Sequence, residues 1–410
     1  MHDSLYRNSI YLLLNMGVTA GAGFLFWAVC ARLYSTENVG YATALLGALT
    51  LATAFSNFGM NRTIVRFFAQ SKTQSQDLIT KILLVTLGSL LSGVVLSFFL
   101  TTFGLKQAGG WVVAAFITTV LAMSIKVLFD NVFIAFKSAS GTLIENTVLN
   151  VLKLAFPFFV VAWGFMGIFS AQLVGAIAAV VTSVILLRTK YKFNFKTRPS
   201  RKALQGKWQF AFGSYTTDLV GVLPASFLPI IVVGKLGAVS GALWYTAMLI
   251  INFLLTVTSS INQAMFAEMS SSTKGIFGFV KKAAVAMYGL VTPLAILIFI
   301  FAPQILSLFN HQYVGAASTL RLMSVFALVG ILNYISGSIL SYYKKVAYLT
   351  FVNAVNAAVV IAYCLLYATN LQGIAIGWML GEVVNIALFC AGAFYVVKHM
   401  LEQHKEETMA

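Results

Sequence analysis

The sequence predicts an all-α integral membrane protein with about 12 transmembrane helices in two six-helix lobes related by a parallel repeat. Three observations carry this. Of the 410 residues 60% are hydrophobic, only 9% are charged, and the mean hydropathy is +0.89. Soluble domains carry about 25% charged residues, so this composition cannot cover a water-facing surface. Apolar runs of about 20 residues, each enough to cross roughly 30 Å of hydrocarbon, recur from end to end. Segments in the first half also reappear in the second at a steady offset. A transmembrane barrel is excluded, because its strands would alternate apolar and polar residues.

Breaks at Gly, Pro, Asn and charge clusters place the spans near 9–33, 40–68, 79–104, 110–135, 142–165, 168–188, 208–234, 241–268, 280–302, 316–342, 347–368 and 373–397. The first is read as a retained span, because its apolar part is too long for a signal peptide. Residues 1–187 form the N-terminal lobe, 188–207 a basic cytoplasmic linker, 208–398 the C-terminal lobe, and 399–410 a cytoplasmic tail. Cys30, Cys364 and Cys390 all fall inside spans and read as buried thiols rather than a disulfide framework.

Charge orients the bundle. With both termini cytoplasmic, 21 of the 27 Lys and Arg collect on the cytoplasmic side and four on the other, while Lys126 and Lys153 lie within spans. This is the positive-inside pattern of an inner, cytoplasmic membrane protein. The linker region "LLRTKYKFNFKTRPSRKALQGK" holds eight cations and no acid. It reads as a loop beside anionic headgroups, where each cation contributes about 1 kcal/mol. Being short and tethered at both ends, it is a poor nucleic-acid arm.

The repeat is carried by three blocks. "ARLYSTENVGYATALL" from Ala31 resembles "GKLGAVSGALWYTAML" from Gly234. "FKSASGTLIEN" from Phe136 aligns with "YKKVAYLTFVN" from Tyr343, placing Asn146 on Asn353. "GIFSAQLVGA" from Gly167 aligns with "GIAIGWMLGE" from Gly373, placing Gly175 on Gly381. With six spans per copy, both copies enter and leave on the same side, so the repeat axis lies along the membrane normal. Facing lobes of this kind suit alternating access, with the linker as a flexible tie.

Ionisable groups at bilayer depth cost about 2.5–3.5 kcal/mol on insertion scales and so point to function. Lys126 and Asp130 stand four apart on one face, either as a self-neutralising pair or as pathway groups. Lys153 has no acid within one turn and needs one on another helix or a bound anion. Arg62 and Arg66 share a face as headgroup anchors or anion ligands, Arg32 closes the first span, and Arg321 opens the tenth. Asp218 and Glu382 are either interhelical hydrogen-bond partners or ion-coupling groups, as is Asp130. Gly221, Pro224 and Pro229 predict a bent seventh span. The cations outnumber the acids, and Arg forks suit phosphate oxygens. No Walker loop or HExxH is present, and His2, His311, His399 and His404 lie in tails or loops, so neither an enzyme nor a cofactor or metal site is expected.

"RNSIYLLLNMG", "FWAVCARLYSTENVGYATALL" and "SNFGMNRTIVRFFAQ" resemble the opening of the polysaccharide flippases of the multidrug/oligosaccharidyl-lipid/polysaccharide (MOP) superfamily, the Wzx-like O-antigen exporters. The resemblance implies a V-shaped, MATE-like pair of lobes that flips an undecaprenyl-pyrophosphate-linked oligosaccharide to the outer leaflet. It further implies a cationic cavity, for which Arg32, Arg62, Arg66, Lys126 and Lys153 are the substrate-binding candidates, with Asp130, Asp218 and Glu382 as ion-coupling candidates. Partners would be the lipid-linked substrate, membrane lipids, and a polysaccharide polymerase with glycosyltransferases. The first span lacks the acid usual in the drug-exporting branch. The alternatives are an ion-coupled exporter of small amphiphiles and a non-transporting scaffold for polysaccharide assembly.

Overall fold

In hydrocarbon every backbone N–H and C=O has to be paired within the chain, so the apolar runs can only become helices. The computed structural model describes residues 2–71, 73–102, 109–200, 205–271 and 276–409, and every regular element among them is helical. Lys72, Lys106, Arg201, Lys202 and Lys274 lie outside the described residues.

Packing divides the chain into two units, Met1–Ala242 and Leu243–Ala410. The first holds α1 (His2–Leu33), α2 (Thr36–Ser56), α3 (Met60–Phe67), α4 (Gln74–Thr102), α5 (Gly110–Ala135), α6 (Ala139–Ala155), α7 (Phe165–Thr189), α8 (Trp208–Leu236) and the start of α9 (Ala238–Ser271). The second holds the rest of α9, then α10 (Phe277–Ile300), α11 (Ala302–Ser307), α12 (Ala317–Val329), α13 (Ile331–Tyr342), α14 (Val346–Leu366) and α15 (Leu371–Met409).

Among the described residues, eleven helical stretches are long and apolar enough to cross a membrane. The expected fifth span is α6, whose 17 residues fall short of that length. Two 3-10 turns, Phe156–Phe158 and Val161–Trp163, carry it on around Pro157, which cannot donate to an α-helical ladder. The expected second span is broken into α2 and α3, and the tenth into α12 and α13 at Gly330. The seventh stays a single helix through Pro224 and Pro229. The tail expected from 399 is a continuation of α15.

Helix α2 is the centre of the first unit. Two thirds of its apolar window is buried (67%), against 22% for α1. Small residues make that possible, since helices in lipid approach closely only where side chains are small. A Cβ on Gly40 would lie 1.7 Å from the Ala238 carbonyl oxygen, and one on Gly47 2.6 Å from that of Ser226. This contact explains the unit boundary. By sequence repeat, α8 opens the second copy, whereas by packing it lies along α2.

Inside each unit the same helix pair is made the same way. A Cβ on Gly175 of α7 would lie 2.8 Å from the Leu149 carbonyl oxygen of α6, and one on Gly381 of α15 would lie 2.2 Å from Val360 Cγ2 and 3.4 Å from the Asn356 carbonyl oxygen, both on α14. The repeat aligns those glycines with one another. On the outside, Leu87, Leu91, Val94, Val95 and Phe98 form an exposed apolar stripe down α4. In water such a stripe would be a liability, and in a bilayer it is the lipid face.

The described part of the linker, up to Ser200, packs against the first unit. Tyr191 stacks on Phe136 at 4.8 Å and Phe193 on Phe68 at 5.9 Å, with rings 17° and 6° from parallel. Further on, Ser200 N donates to Thr80 Oγ1 at 2.9 Å. The aromatics between the cations bind the segment to the first unit, Lys207 pairs with Asp77 at 3.6 Å, and Arg188, Lys190, Lys192, Lys196 and Arg198 stay exposed. All three cysteines are free thiols, with Cys30 and Cys364 buried.

Candidate functional site

The break after α2 shapes a cavity within the first unit. Phe58 and Gly59 take positive φ values of 43° and 70°, which reverse the chain and start α3 in a new direction. Glycine adopts that conformation without a steric penalty. Phe58, which does carry a side chain, is held there by its packing against Tyr215 of α8 at 6.0 Å. Beside the turn, a cavity of about 440 Å³ opens between α2, α3, α5 and α8. Seven of its thirteen lining residues carry a hydroxyl, carboxamide or carboxylate, namely Thr50, Thr53, Asn57, Asn61, Tyr215, Thr217 and Asp218.

Asp218 does not stand alone. Arg62 Nε donates to its Oδ2 at 2.9 Å and Nη2 to its Oδ1 at 2.5 Å. The site is therefore formally neutral at its charged edge. In the wall, Thr53 Oγ1, Asn57 Oδ1 and Asn61 Oδ1 are enclosed and take no hydrogen bond within the protein. Buried oxygens without partners are uncommon and mark places where a donor is missing.

The predicted site residues fall in several places. Two pairs are joined directly, Arg62 with Asp218 and Lys126 with Asp130. Lys126 also donates to Asn146 Oδ1 at 2.6 Å, and Asn146 Nδ2 donates to Asn15 Oδ1 on α1 at 3.0 Å. This polar chain ties α5, α6 and α1 together at membrane depth. Arg66 lies over the rings of Phe67 and Phe210, 5.2 and 4.6 Å from their centroids. Lys153 lies 4.5 Å over the ring of Phe26, so its counterpart is an aromatic face. Arg32 is exposed at the end of α1. In the second unit, Asn333 Nδ2 of α13 donates to Glu382 Oε2 at 2.5 Å, with Asn356 of α14 facing the same carboxylate.

Sequence reasoning missed Glu145. It is fully buried on α6, with neither carboxylate oxygen hydrogen-bonded. Its position beside Asn146, in the apolar run "TLIENTVLNVL", was the available signal.

A family model described as "Polysaccharide biosynthesis protein" matches residues 5–272, well over half of the chain. The chain belongs to the polysaccharide biosynthesis protein family. Solved structures extend the likeness over nearly all of this family member. A MOP superfamily transporter from Pyrococcus furiosus, reported with reverse polarity of its binding pocket, is 18% identical with a TM-score of 0.60, covering 96% of this chain and 95% of that one. An inward-facing multidrug resistance MATE family transporter is 16% identical with a TM-score of 0.69, covering 94% and 98%. Its outward-facing counterpart is 17% identical with a TM-score of 0.63, covering 97% and 96%. No curated protein matches. This polysaccharide biosynthesis protein is thus a multi-pass membrane protein with the fold of the MOP transporters.

Proposed function

We propose that the protein carries an undecaprenyl-pyrophosphate-linked oligosaccharide from the inner to the outer leaflet of the cytoplasmic membrane by alternating access. The observation that carries this reading is the cavity beside α2, which is rich in hydroxyls and carboxamides and edged by the Arg62–Asp218 pair. A sugar offers many hydroxyl donors and acceptors, and these suit polar groups such as those of Thr50, Tyr215, Thr217 and Asp218 on the cavity wall.

Arg62 and Arg66 are both exposed, so they are the cations we carry forward as pyrophosphate contacts, with Arg32. All four are engaged, Arg62 with Asp218, Arg66 with Phe67 and Phe210, Lys126 with Asp130 and Lys153 with Phe26, but Lys126 and Lys153 are also less exposed, so a substrate would reach them last. Both termini would lie in the cytoplasm, and glycosyltransferases would supply the substrate to a polymerase on the far side.

The test is complementation of a strain lacking the gene, read as surface polysaccharide on a gel. The wild-type chain should restore it, Arg62→Glu should not, and Arg62→Glu with Asp218→Arg should recover part of it. Unchanged polysaccharide in Arg62→Glu, accompanied by a fall in resistance to amphiphilic drugs, would favour the small-amphiphile exporter and reject the flippase.

A further inference from the structure

A second cavity of the first unit, of about 550 Å³, opens between the start of α4 and the linker. Its wall carries the hydroxyls of Ser71, Thr73, Ser75 and Thr197, together with Gln76 and Lys192. No acid lines it. Asp77, the acid of α4, is buried and paired with Lys207 at 3.6 Å.

The wall is set up to donate. Ser71 Oγ accepts from Thr73 N at 3.2 Å, and Ser75 Oγ accepts from Asn194 N at 3.3 Å. Among the described residues neither of these hydroxyls donates in turn, so each has its hydrogen left for an outside acceptor. Lys192 is exposed and takes a φ of 55°. Glycine adopts that left-handed conformation without penalty, and a lysine does not, so the turn by itself does not account for the residue. Next to it, Phe193 is fixed by its stacking on Phe68. Arg188, Lys196 and Arg198 of the same segment are exposed as well. Donors and cations without a lining acid fit a ligand that offers several negatively charged oxygens, as a phosphate does.

The level of the cavity indicates where that phosphate comes from. The first large apolar side chain exposed on α4 is Leu83, where the lipid-facing stripe begins. Gln76 lies about 10 Å before it along the helix axis. The headgroup layer is about 5–8 Å deep on each side of the hydrocarbon, so the cavity opens at its outer edge. Helix α7 has the same order, with Ile185 exposed first and Arg188 and Lys190 exposed after it.

We propose that this cavity binds the phosphate headgroup of an anionic lipid in the adjoining leaflet. Lys192 supplies the charge, and the Ser71 and Ser75 hydroxyls supply directed donors. Bound there, the headgroup bridges α4 and the linker, where Asn194 N and Ser200 N already bond to Ser75 and Thr80. Basic pockets at the membrane surface recognise lipid headgroups in this way. The site lies apart from the cavity beside Asp218 and does not depend on the flippase reading.

The test is native mass spectrometry of the full chain in detergent, titrated with phosphatidylglycerol or phosphatidylcholine. The wild type should bind a first phosphatidylglycerol severalfold more tightly than phosphatidylcholine. Lys192→Gly should lose that preference while keeping or raising the melting temperature, because glycine suits the left-handed turn. Ser75→Ala should weaken the preference in part. Lys281→Gln, at an exposed lysine of α10 outside the cavity, should leave it intact. The proposal is overturned if Lys192→Gly binds phosphatidylglycerol as the wild type does, or if Lys281→Gln weakens it equally. It is also overturned if free glycerol phosphate binds as tightly, since the occupant would then be a soluble anion. The measurement needs no transport, so its failure leaves the flippase reading standing, and a failed complementation leaves the lipid site standing.

Discussion

Arg62 on α3 and Asp218 on α8 form a two-pronged ion pair between residues 156 positions apart in the chain. Their side chains are 57% and 42% exposed. An exposed pair of this kind contributes little to stability, about 0–1 kcal/mol. Asp218→Asn should therefore leave the melting temperature in detergent nearly unchanged while lowering surface polysaccharide severalfold. A large drop in melting temperature would mean that the pair is structural.

The α2–α8 contact should respond to single atoms. Gly47→Ala would place a Cβ 2.6 Å from the Ser226 oxygen, and Gly40→Ala one still closer to that of Ala238. Overpacking of this kind costs about 1–3 kcal/mol or more, so both variants should lose folded yield, with Gly40→Ala the worse. Gly17→Ala has open space and should behave as wild type in the same size-exclusion assay.

Phe136 touches both Tyr191 and Phe193. Phe136→Ala removes both ring contacts to the segment, together about 1–3 kcal/mol, along with a third to Phe68. The basic segment should then detach, and trypsin should cut at Lys192 and Lys196 much faster than in wild type. Unchanged cleavage would mean that the stack does not hold the segment.

Tyr34 donates its hydroxyl to the Pro157 carbonyl at 2.8 Å, fastening the α1–α2 corner to the turn after α6. Burial first, and Cys30 second, push this phenol up to about 12. Because the folded value is raised, its contribution is complete below the ordinary phenol value of about 10 and is lost as the pH climbs from there to about 12. Over that window wild type should lose stability more steeply than Tyr34→Phe, in thermal melts followed by circular dichroism. At neutral pH the variant should be about 1 kcal/mol less stable, the usual worth of one such hydrogen bond.

Much of the architecture was legible because apolar length and glycine spacing are local signals. The span limits follow from runs of Leu, Val, Ile and Phe, and the aligned Gly175 and Gly381 do mark matching helix contacts. The break at Asn57–Gly59 was not seen, although "SNFGMN" carries the Asn and Gly that mark breaks elsewhere, because apolar residues resume at Ile64 and Val65 and extend the span on length alone. The pairings were harder. Asp218 finds Arg62 across 156 residues, and no periodicity links them. The i,i+4 spacing did reveal Lys126 and Asp130, but Glu145 belongs to the same cluster only because α6 folds back against α5. The linker misled because its cations were weighed and its aromatics were not. Tyr191 and Phe193 decide where it lies.

The chain from Asn15 through Asn146 to Lys126 has a consequence for α1, the helix with the smallest buried share of its apolar window among the candidate spans. Lipid solvates its apolar surface as well as protein does, so contact area gives it little reason to stay. What retains α1 is a clasp of a few directional bonds, the Asn15 carboxamide at one level and the Phe26 ring under Lys153 at another, together with the buried side chains of Phe26, Trp27, Cys30 and Ala31 in its second half. The two halves of α1 are accordingly held by different means, the exposed first half by the Asn15 clasp and the second by buried packing, so any loosening of this helix would begin at its N-terminal end.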